Sequence, residues 1–283
     1  MKTVKLGKEA VPVLGLGTWS MGERARTRAD EVAAVRLALQ LGLRLIDTAE
    51  MYGEGGAEEV VGSALADVFA AGELQRKDVF VVTKVYPHNA SRKGAVAACE
   101  RSLERLGLDY IDLYLLHWRG SHPLAATVAA FEQLREQKKL RHWGVSNFDV
   151  DDLAELLALA GGKQCVANQV YYAASQRGIE FDLLPWQRER GIATMAYSPL
   201  AQGRLARDAT LARIGKRHGV NAAQIALAWV LRQPDVIAIP KTVQPARLRE
   251  IAAVEKVALS DADLAEIDAA FPPPQRKAPL AMG

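Results

Sequence analysis

The sequence predicts an α/β fold of the (β/α)8 type, a TIM barrel preceded by a β-hairpin and carrying extra helices towards its C-terminal end. Short apolar, β-branched runs alternate with longer amphipathic stretches along the whole chain. Eight such runs follow the hairpin, and several finish on a polar or charged residue that core packing does not explain. The 283 residues are 49% hydrophobic and 24% charged, enough for one large core. Barrels of about 250 residues fold as one unit, so residues 1–283 are read as a single domain.

The elements follow in order. The hairpin is read at 4–13, and the strands at 15–18, 44–47, 79–83, 111–116, 143–146, 166–169, 193–197 and 236–239. Val32, Val35 and Leu39 fall at helical spacing in 29–41, which Gly42 terminates; Val61, Leu65 and Val68 repeat the pattern in 58–68. Asp47, Lys84, His117, Ser146, Gln169, Tyr197 and Lys241 mark successive strand ends, each one βα unit after the last except for the final, longer gap. That gap requires another helix, which 211–217 followed by 221–231 provides. Ile225, Leu227, Trp229 and Val230 make the second of these apolar enough to lie against the barrel wall. The Pro-rich 271–274 begins a short tail.

Bulk properties narrow the function. The net charge is +3 with no Lys/Arg block, which argues against nucleic acid as a partner. No apolar run reaches the roughly 18 residues needed to span a membrane, and the N-terminus enters Val4-Lys5-Leu6-Gly7 without a signal sequence, so a cytoplasmic protein is expected. Cys99 falls in a helical pattern and Cys165 just before a strand, which favours buried thiols over a disulfide or a metal pair. His88, His142 and His218 share no ligand spacing with carboxylates or thiols, so no metal is expected. No exposed apolar heptad or long edge strand demands a partner, and the chain is read as a monomer.

Four residues suggest a chemistry: Asp47, Tyr52, Lys84 and His117. A carbonyl accepts hydride poorly unless its oxygen receives a proton or a strong hydrogen bond as charge develops. Tyr52 can give that proton, and a neighbouring ammonium, Lys84, is expected to lower the phenol from its usual pKa of about 10. Asp47 can hold Lys84 charged, and His117 can hydrogen-bond the carbonyl oxygen. A lone strand-end Asp or Lys is more often a surface ion pair; the coincidence of four polar groups at consecutive strand ends favours catalysis. Lys84 as a Schiff-base nucleophile is disfavoured, because Asp47 would keep the amine protonated. A cofactor-binding barrel with a regulatory or redox-sensing role and little turnover is the competing reading.

The motifs Asp47-Thr48-Ala49-x-x-Tyr52-Gly53, Lys84 after a Val-rich run, Leu116-His117-Trp118, Gly144-Val145-Ser146-Asn147-Phe148, Asn168-Gln169-Val170, Tyr197-Ser198-Pro199-Leu200 and Ile239-Pro240-Lys241-Thr242 together resemble the aldo-keto reductases, in order over almost the whole chain. The resemblance implies a (β/α)8 barrel, an extended NADPH and reduction of carbonyls to alcohols. Tyr52 is then the proton donor, Lys84 and Asp47 tune it, and His117 orients a small-molecule carbonyl substrate. The stretch 49–58 resembles a bacterial branch that reduces methylglyoxal and similar small aldehydes.

A Rossmann fingerprint is absent: Gly15-Leu16-Gly17-Thr18-Trp19-Ser20 lacks the third glycine and Gly53-Glu54-Gly55-Gly56 has the wrong spacing. The resemblance instead places the cofactor across the C-terminal half of the barrel. It assigns Ser146, Asn147 and Gln169 to the carboxamide, Tyr197 to the nicotinamide ring, and the stretch 198–205, with Ser198, Pro199, Leu200, Gly203 and Leu205, to a cover over the pyrophosphate. Gly17, Thr18, Trp19, Asp47, Ile239, Pro240 and Thr242 complete the contacts. Lys241 and Arg247 can neutralise a 2′-phosphate, with Glu250 close by, which favours NADPH over NADH. Where the family often has Asn after that Glu, this chain has Ile251, which removes an adenine hydrogen bond. Trp19, Tyr52, His117 and Trp118 are expected to line the substrate pocket, with Met21 as rim packing and Arg119 adding a charge that would favour dicarbonyls or acidic aldehydes. The short tail, Gln275 onwards, is expected to leave the pocket open.

Overall fold

A computed structural model describes residues 2–282, so the two ends of the expected 1–283 unit lie outside the described residues. The hairpin pairs β1 (Thr3–Leu6) with β2 (Glu9–Pro12). Eight parallel strands follow: β3 (Gly15–Gly17), β4 (Leu45–Asp47), β5 (Phe80–Val85), β6 (Ile111–Leu116), β7 (Leu140–Ser146), β8 (Cys165–Tyr171), β9 (Ala193–Tyr197) and β10 (Val236–Ala238). They are hydrogen-bonded in chain order from β3 to β10. A parallel bridge between Leu14 and Ala238 brings the ends of this sheet together, reinforced by Ala238 N–H to Val13 O (2.8 Å) and Gly17 N–H to Pro240 O (2.9 Å). The seam leaves no room for a side chain at Gly17, where an added Cβ would lie 2.9 Å from Ile239 O.

Helices α1 (Arg28–Gln40), α2 (Gly56–Ala70), α3 (Arg92–Leu106), α4 (Leu124–Glu136), α5 (Val150–Ala158) and α6 (Leu183–Glu189) connect consecutive strands. The long last gap holds α7 (Ala209–His218) and α8 (Ala222–Val230); α9 (Pro245–Ala252) and α10 (Asp261–Ala270) follow β10. Every residue of α8 except Ala223 is buried, as its apolar composition predicts. The loop closing the hairpin packs under β7 and β8, since a Cβ on Gly7 would meet the His142 imidazole and Val166. The hairpin therefore closes the N-terminal end of the barrel and leaves the C-terminal end for a site.

Two strand boundaries differ instructively from expectation. Strand β5 continues past Thr83, so Lys84 lies within the strand, registered against Leu115 of β6, with its whole side chain sealed inside. Strand β7 starts three residues earlier than predicted. Arg141 and His142 look like loop residues by polarity, but Arg141 pairs with Glu9 and Asp112, and His142 lies 3.4 Å from Glu9. No described helix is long and apolar enough to cross a membrane.

Candidate active site

The ends of β4, β5 and β6 bring the four expected residues together. Asp47 is the last residue of β4, His117 follows β6, and Tyr52 sits on a tight turn after β4. That turn needs left-handed backbone at Gly53 (φ 58°) and Gly55 (φ 92°); Gly55 also forms the N-cap of α2. Lys84 Nζ reaches Asp47 Oδ2 at 2.8 Å, Thr48 O at 2.8 Å and Tyr52 Oη at 3.3 Å. Three acceptors around one nitrogen call for an ammonium, since a neutral amine has only two hydrogens to donate. Gln169 Nε2 donates to the other Asp47 oxygen at 2.7 Å. Tyr52 and His117 meet edge to face, with ring centroids 5.6 Å apart.

Electrostatics follow from burial. Burial opposes the Lys84 ammonium, but Asp47 and Tyr52 outweigh it and raise the Lys84 pKa above its ordinary value. Burial likewise raises Asp47 despite its bonds to Lys84 and Gln169. The geometry places the shared proton on Lys84, where all three acceptors can use it. For Tyr52 burial also wins over the attraction of Lys84, and the phenol is raised, not lowered. This corrects the expectation from the sequence: Lys84 opposes a desolvation effect that is larger than its own. The group in the cavity is a protonated phenol. Burial, with Lys84 second, holds His117 well below 6.5, so its imidazole is neutral at pH 7. His117 Nδ1 is buried without a hydrogen-bond partner. A stranded N–H would also be an unmet donor, so the tautomer we assign carries its proton on Nε2.

All four groups adjoin one cavity of about 1190 Å3; Asp47, Tyr52 and His117 line it directly, and Lys84 lies sealed behind Tyr52. The volume exceeds the range of about 300–1,000 Å3 typical of small-molecule pockets. Gly17, Trp19, Trp118, Ser146, Asn147, Gln169 and Tyr197 line the catalytic end, and Ser198, Pro199, Leu200, Gly203, Ile239, Pro240, Lys241, Thr242, Arg247 and Glu250 line the rest. Two predicted contacts do not reach it: Thr18 is fully buried, its hydroxyl donating to Asp47 O at 3.0 Å, and Leu205 packs into the core. Asn147 is left-handed (φ 59°); its amide receives the Tyr197 hydroxyl at 3.0 Å and donates to His117 O at 3.2 Å. The Tyr197 ring stacks on Tyr171 as it lines the cavity.

Other residues depart from expectation. Arg119 turns away and pairs with Asp152 (3.0 Å) and Glu155 (2.7 Å), so it brings no charge to the pocket. Met21 is buried core. The tail does not leave the mouth bare: Lys277 bridges Asp149 (3.2 Å) and Asp182 (2.9 Å), and Met282 lines the cavity. Sequence reasoning missed Ser20, Met51, Arg207, Asn221, Gln224 and Met282 as lining residues. The Asn221–Gln224 capping box could have flagged two of them, because it fixes where α8 begins and thus which residues face the rim. Ile251 does line the cavity, and the nearby Gln224 amide already bonds Glu250 O and Asn221 N.

Residues 13–271 match the aldo/keto reductase family. The chain belongs to that family. It is 51% identical over 281 residues to methylglyoxal reductase YeaE of Escherichia coli, covering 98% of this chain and 96% of that protein. It is 38% identical to glyoxal reductase of Bacillus subtilis, covering 94% and 92%. An aldo-keto reductase from Klebsiella pneumoniae, solved in complex with NADPH, superposes with a TM-score of 0.94 at 48% identity, covering 100% of this chain and 99% of that one. In this aldo/keto reductase it is the cavity, not a glycine-rich strand–helix turn, that offers room for a dinucleotide. The described residues fit one. The cavity has room beyond a small carbonyl, an aromatic ring stands beside the catalytic end, and among the described residues neither Lys241 nor Arg247 has a carboxylate partner.

Proposed function

We propose that this enzyme reduces small uncharged aldehydes and 2-oxoaldehydes, methylglyoxal among them, to alcohols with NADPH. One observation carries the reading: Tyr52 stands protonated on Lys84 and Asp47, beside a neutral His117, at one end of a cavity whose other end is lined by Lys241 and Arg247. Bound NADPH supplies the hydride. The His117 Nε2–H and the Tyr52 hydroxyl converge on the carbonyl oxygen and polarise it. Tyr52 transfers its proton there as negative charge develops, and Lys84 stabilises the phenolate left behind. Asp47 keeps Lys84 cationic and fixed. Ser146, Asn147, Gln169 and Tyr197 would hold the nicotinamide, and Lys241 and Arg247 would hold the 2′-phosphate with two positive charges.

The names of the relatives support the substrate class, and the walls suit it. Trp19, Trp118, Met51 and Met282 are apolar, and Arg119 is engaged elsewhere, so Arg119 offers no charge there to select an anion. A Schiff base on Lys84 is disfavoured by its ammonium state. Every group required lies in one chain, so a monomeric, one-domain enzyme suffices. Cys99 and Cys165, both buried and unbridged, suit a reducing cytoplasm.

The test is absorbance at 340 nm with NADPH and NADH in parallel on methylglyoxal and an aromatic aldehyde, for wild type and Tyr52→Phe. NADPH oxidation that disappears in Tyr52→Phe supports the reading. Tight NADPH binding without turnover by the wild type would sink it in favour of the regulatory barrel.

A further inference from the structure

The turn that carries Tyr52 is held by a buried carboxylate that the reaction itself does not use. Beyond the end of β4 the chain stays laced to β5: Thr48 N–H bonds Val82 O (2.8 Å) and Glu50 N–H bonds Lys84 O (3.2 Å). In the same ladder Phe80 N–H bonds Arg44 O (2.8 Å), and this register carried forward would join Tyr86 N–H to the carbonyl of Glu50. Tyr86 N–H instead bonds the Glu50 side chain, Oε2, at 3.1 Å. A carboxylate has taken the place of the next backbone acceptor. The main chain is thereby released to curl into the turn bearing Tyr52, while its side chain keeps hold of the strand.

The other Glu50 oxygen accepts from Asn89 Nδ2 (3.0 Å) and Arg101 (2.8 Å). Glu50 is only 9% exposed, so three donors converge on a sheltered carboxylate. Burial raises its pKa, but the Tyr86, Arg101 and Asn89 bonds outweigh burial and leave it lowered. The same bond fixes Tyr86, whose ring packs edge-on to Trp118 at 5.3 Å, and Trp118 in turn lies 4.9 Å from His117. One side chain therefore ties the turn of the proton donor to the aromatic wall beside the carbonyl-orienting histidine.

We propose that Glu50 is a positioning residue: it sets the placement of Tyr52 against Lys84 and of Trp118 against His117, and so governs kcat without touching cofactor or substrate. The proposal rests on the reductase reading above, which the wild-type assay tests independently. Glutamine keeps the shape of Glu50 but offers one acceptor oxygen to three donors and turns an NH2 towards the others. Misplacement of catalytic groups by a fraction of an ångström to 1 Å costs roughly tenfold to a hundredfold in rate.

The experiment compares Glu50→Gln, Glu50→Ala and Arg101→Gln with wild type in steady-state methylglyoxal reduction. NADPH affinity is measured separately by quenching of tryptophan fluorescence. The expected result is a fall in kcat of about tenfold for Gln and more for Ala, a smaller fall for Arg101→Gln, and NADPH affinity within about twofold of wild type. If Glu50→Ala does not fold, Glu50→Gln and the surface variant Arg101→Gln decide. A kcat for Glu50→Gln within about twofold of wild type would overturn the proposal, as would parallel losses in kcat and NADPH affinity, which signal general loosening.

Discussion

Replacing Lys84 with methionine removes one charge from the centre of the site at nearly constant volume. The Nζ–Oη distance is 3.3 Å, and at an effective dielectric of about 20 two unit charges that far apart interact by about 5 kcal/mol. If roughly half a unit of charge has built up on Tyr52 at the transition state, about 2.5 kcal/mol of stabilisation is lost, or about 70-fold in kcat. Lys84→Met also strands Asp47, which retains Gln169 alone, and breaking a fully buried pair costs about 3–5 kcal/mol of stability. Asp47→Asn/Lys84→Met removes both charges and is expected to recover part of that stability but none of the rate. Thermal melts, NADPH titration and steady-state methylglyoxal kinetics separate these effects. A well-folded Lys84→Met enzyme with normal NADPH affinity and kcat within about threefold of wild type would refute the role given to Lys84.

Three further outcomes are expected. Lys241→Ala and Arg247→Ala each remove a charge-assisted contact of about 1.5–3 kcal/mol, so the KM for NADPH should rise about tenfold or more while that for NADH barely moves; equal effects on both cofactors would contradict the 2′-phosphate assignment. His117 titrates well below 6.5 when folded and near 6.5 when unfolded, so between those values the unfolded chain binds more protons. Its contribution to stability is complete above about pH 6.5 and falls with decreasing pH by at most about 1.4 kcal/mol per pH unit, so a pH series of melts should show a shallower acid slope in His117→Gln than in wild type. Because Arg119 faces Asp152 and Glu155, Arg119→Ala should leave kcat/KM for methylglyoxal and for an acidic aldehyde within about twofold, as expected for an exposed pair worth under about 1 kcal/mol; selective loss on the acidic substrate would return Arg119 to the pocket.

How far the sequence could be read depended on whether a feature was local. Asp47 and His117 announce themselves because a polar residue closes an apolar run, and in a parallel barrel all such positions share one rim. Lys241, just beyond the last strand, and Arg247, on α9, line the cavity as expected. The sign of the Tyr52 shift was not legible. Proximity to Lys84 can be guessed from topology, but the opposing effect is the depth of burial, which the packing of neighbouring loops decides. Arg119 and the tail failed for a related reason. The partners of Arg119 lie on α5, and those of Lys277 come from the caps of α5 and α6, all far away in sequence; no pattern around either cation shows where it will point. The same limit applies to Glu50, which reads as one more acid beside Tyr52. Its meaning appears only when the β4–β5 register shows that its side chain occupies the place of a backbone carbonyl. The candidate reacting groups of this barrel are thus written at or near the strand ends, whereas the contacts that fix their pKa values and positions are written in pairs of distant residues. Substitutions at the second kind of position are therefore expected to change rate while leaving every recognisable motif intact.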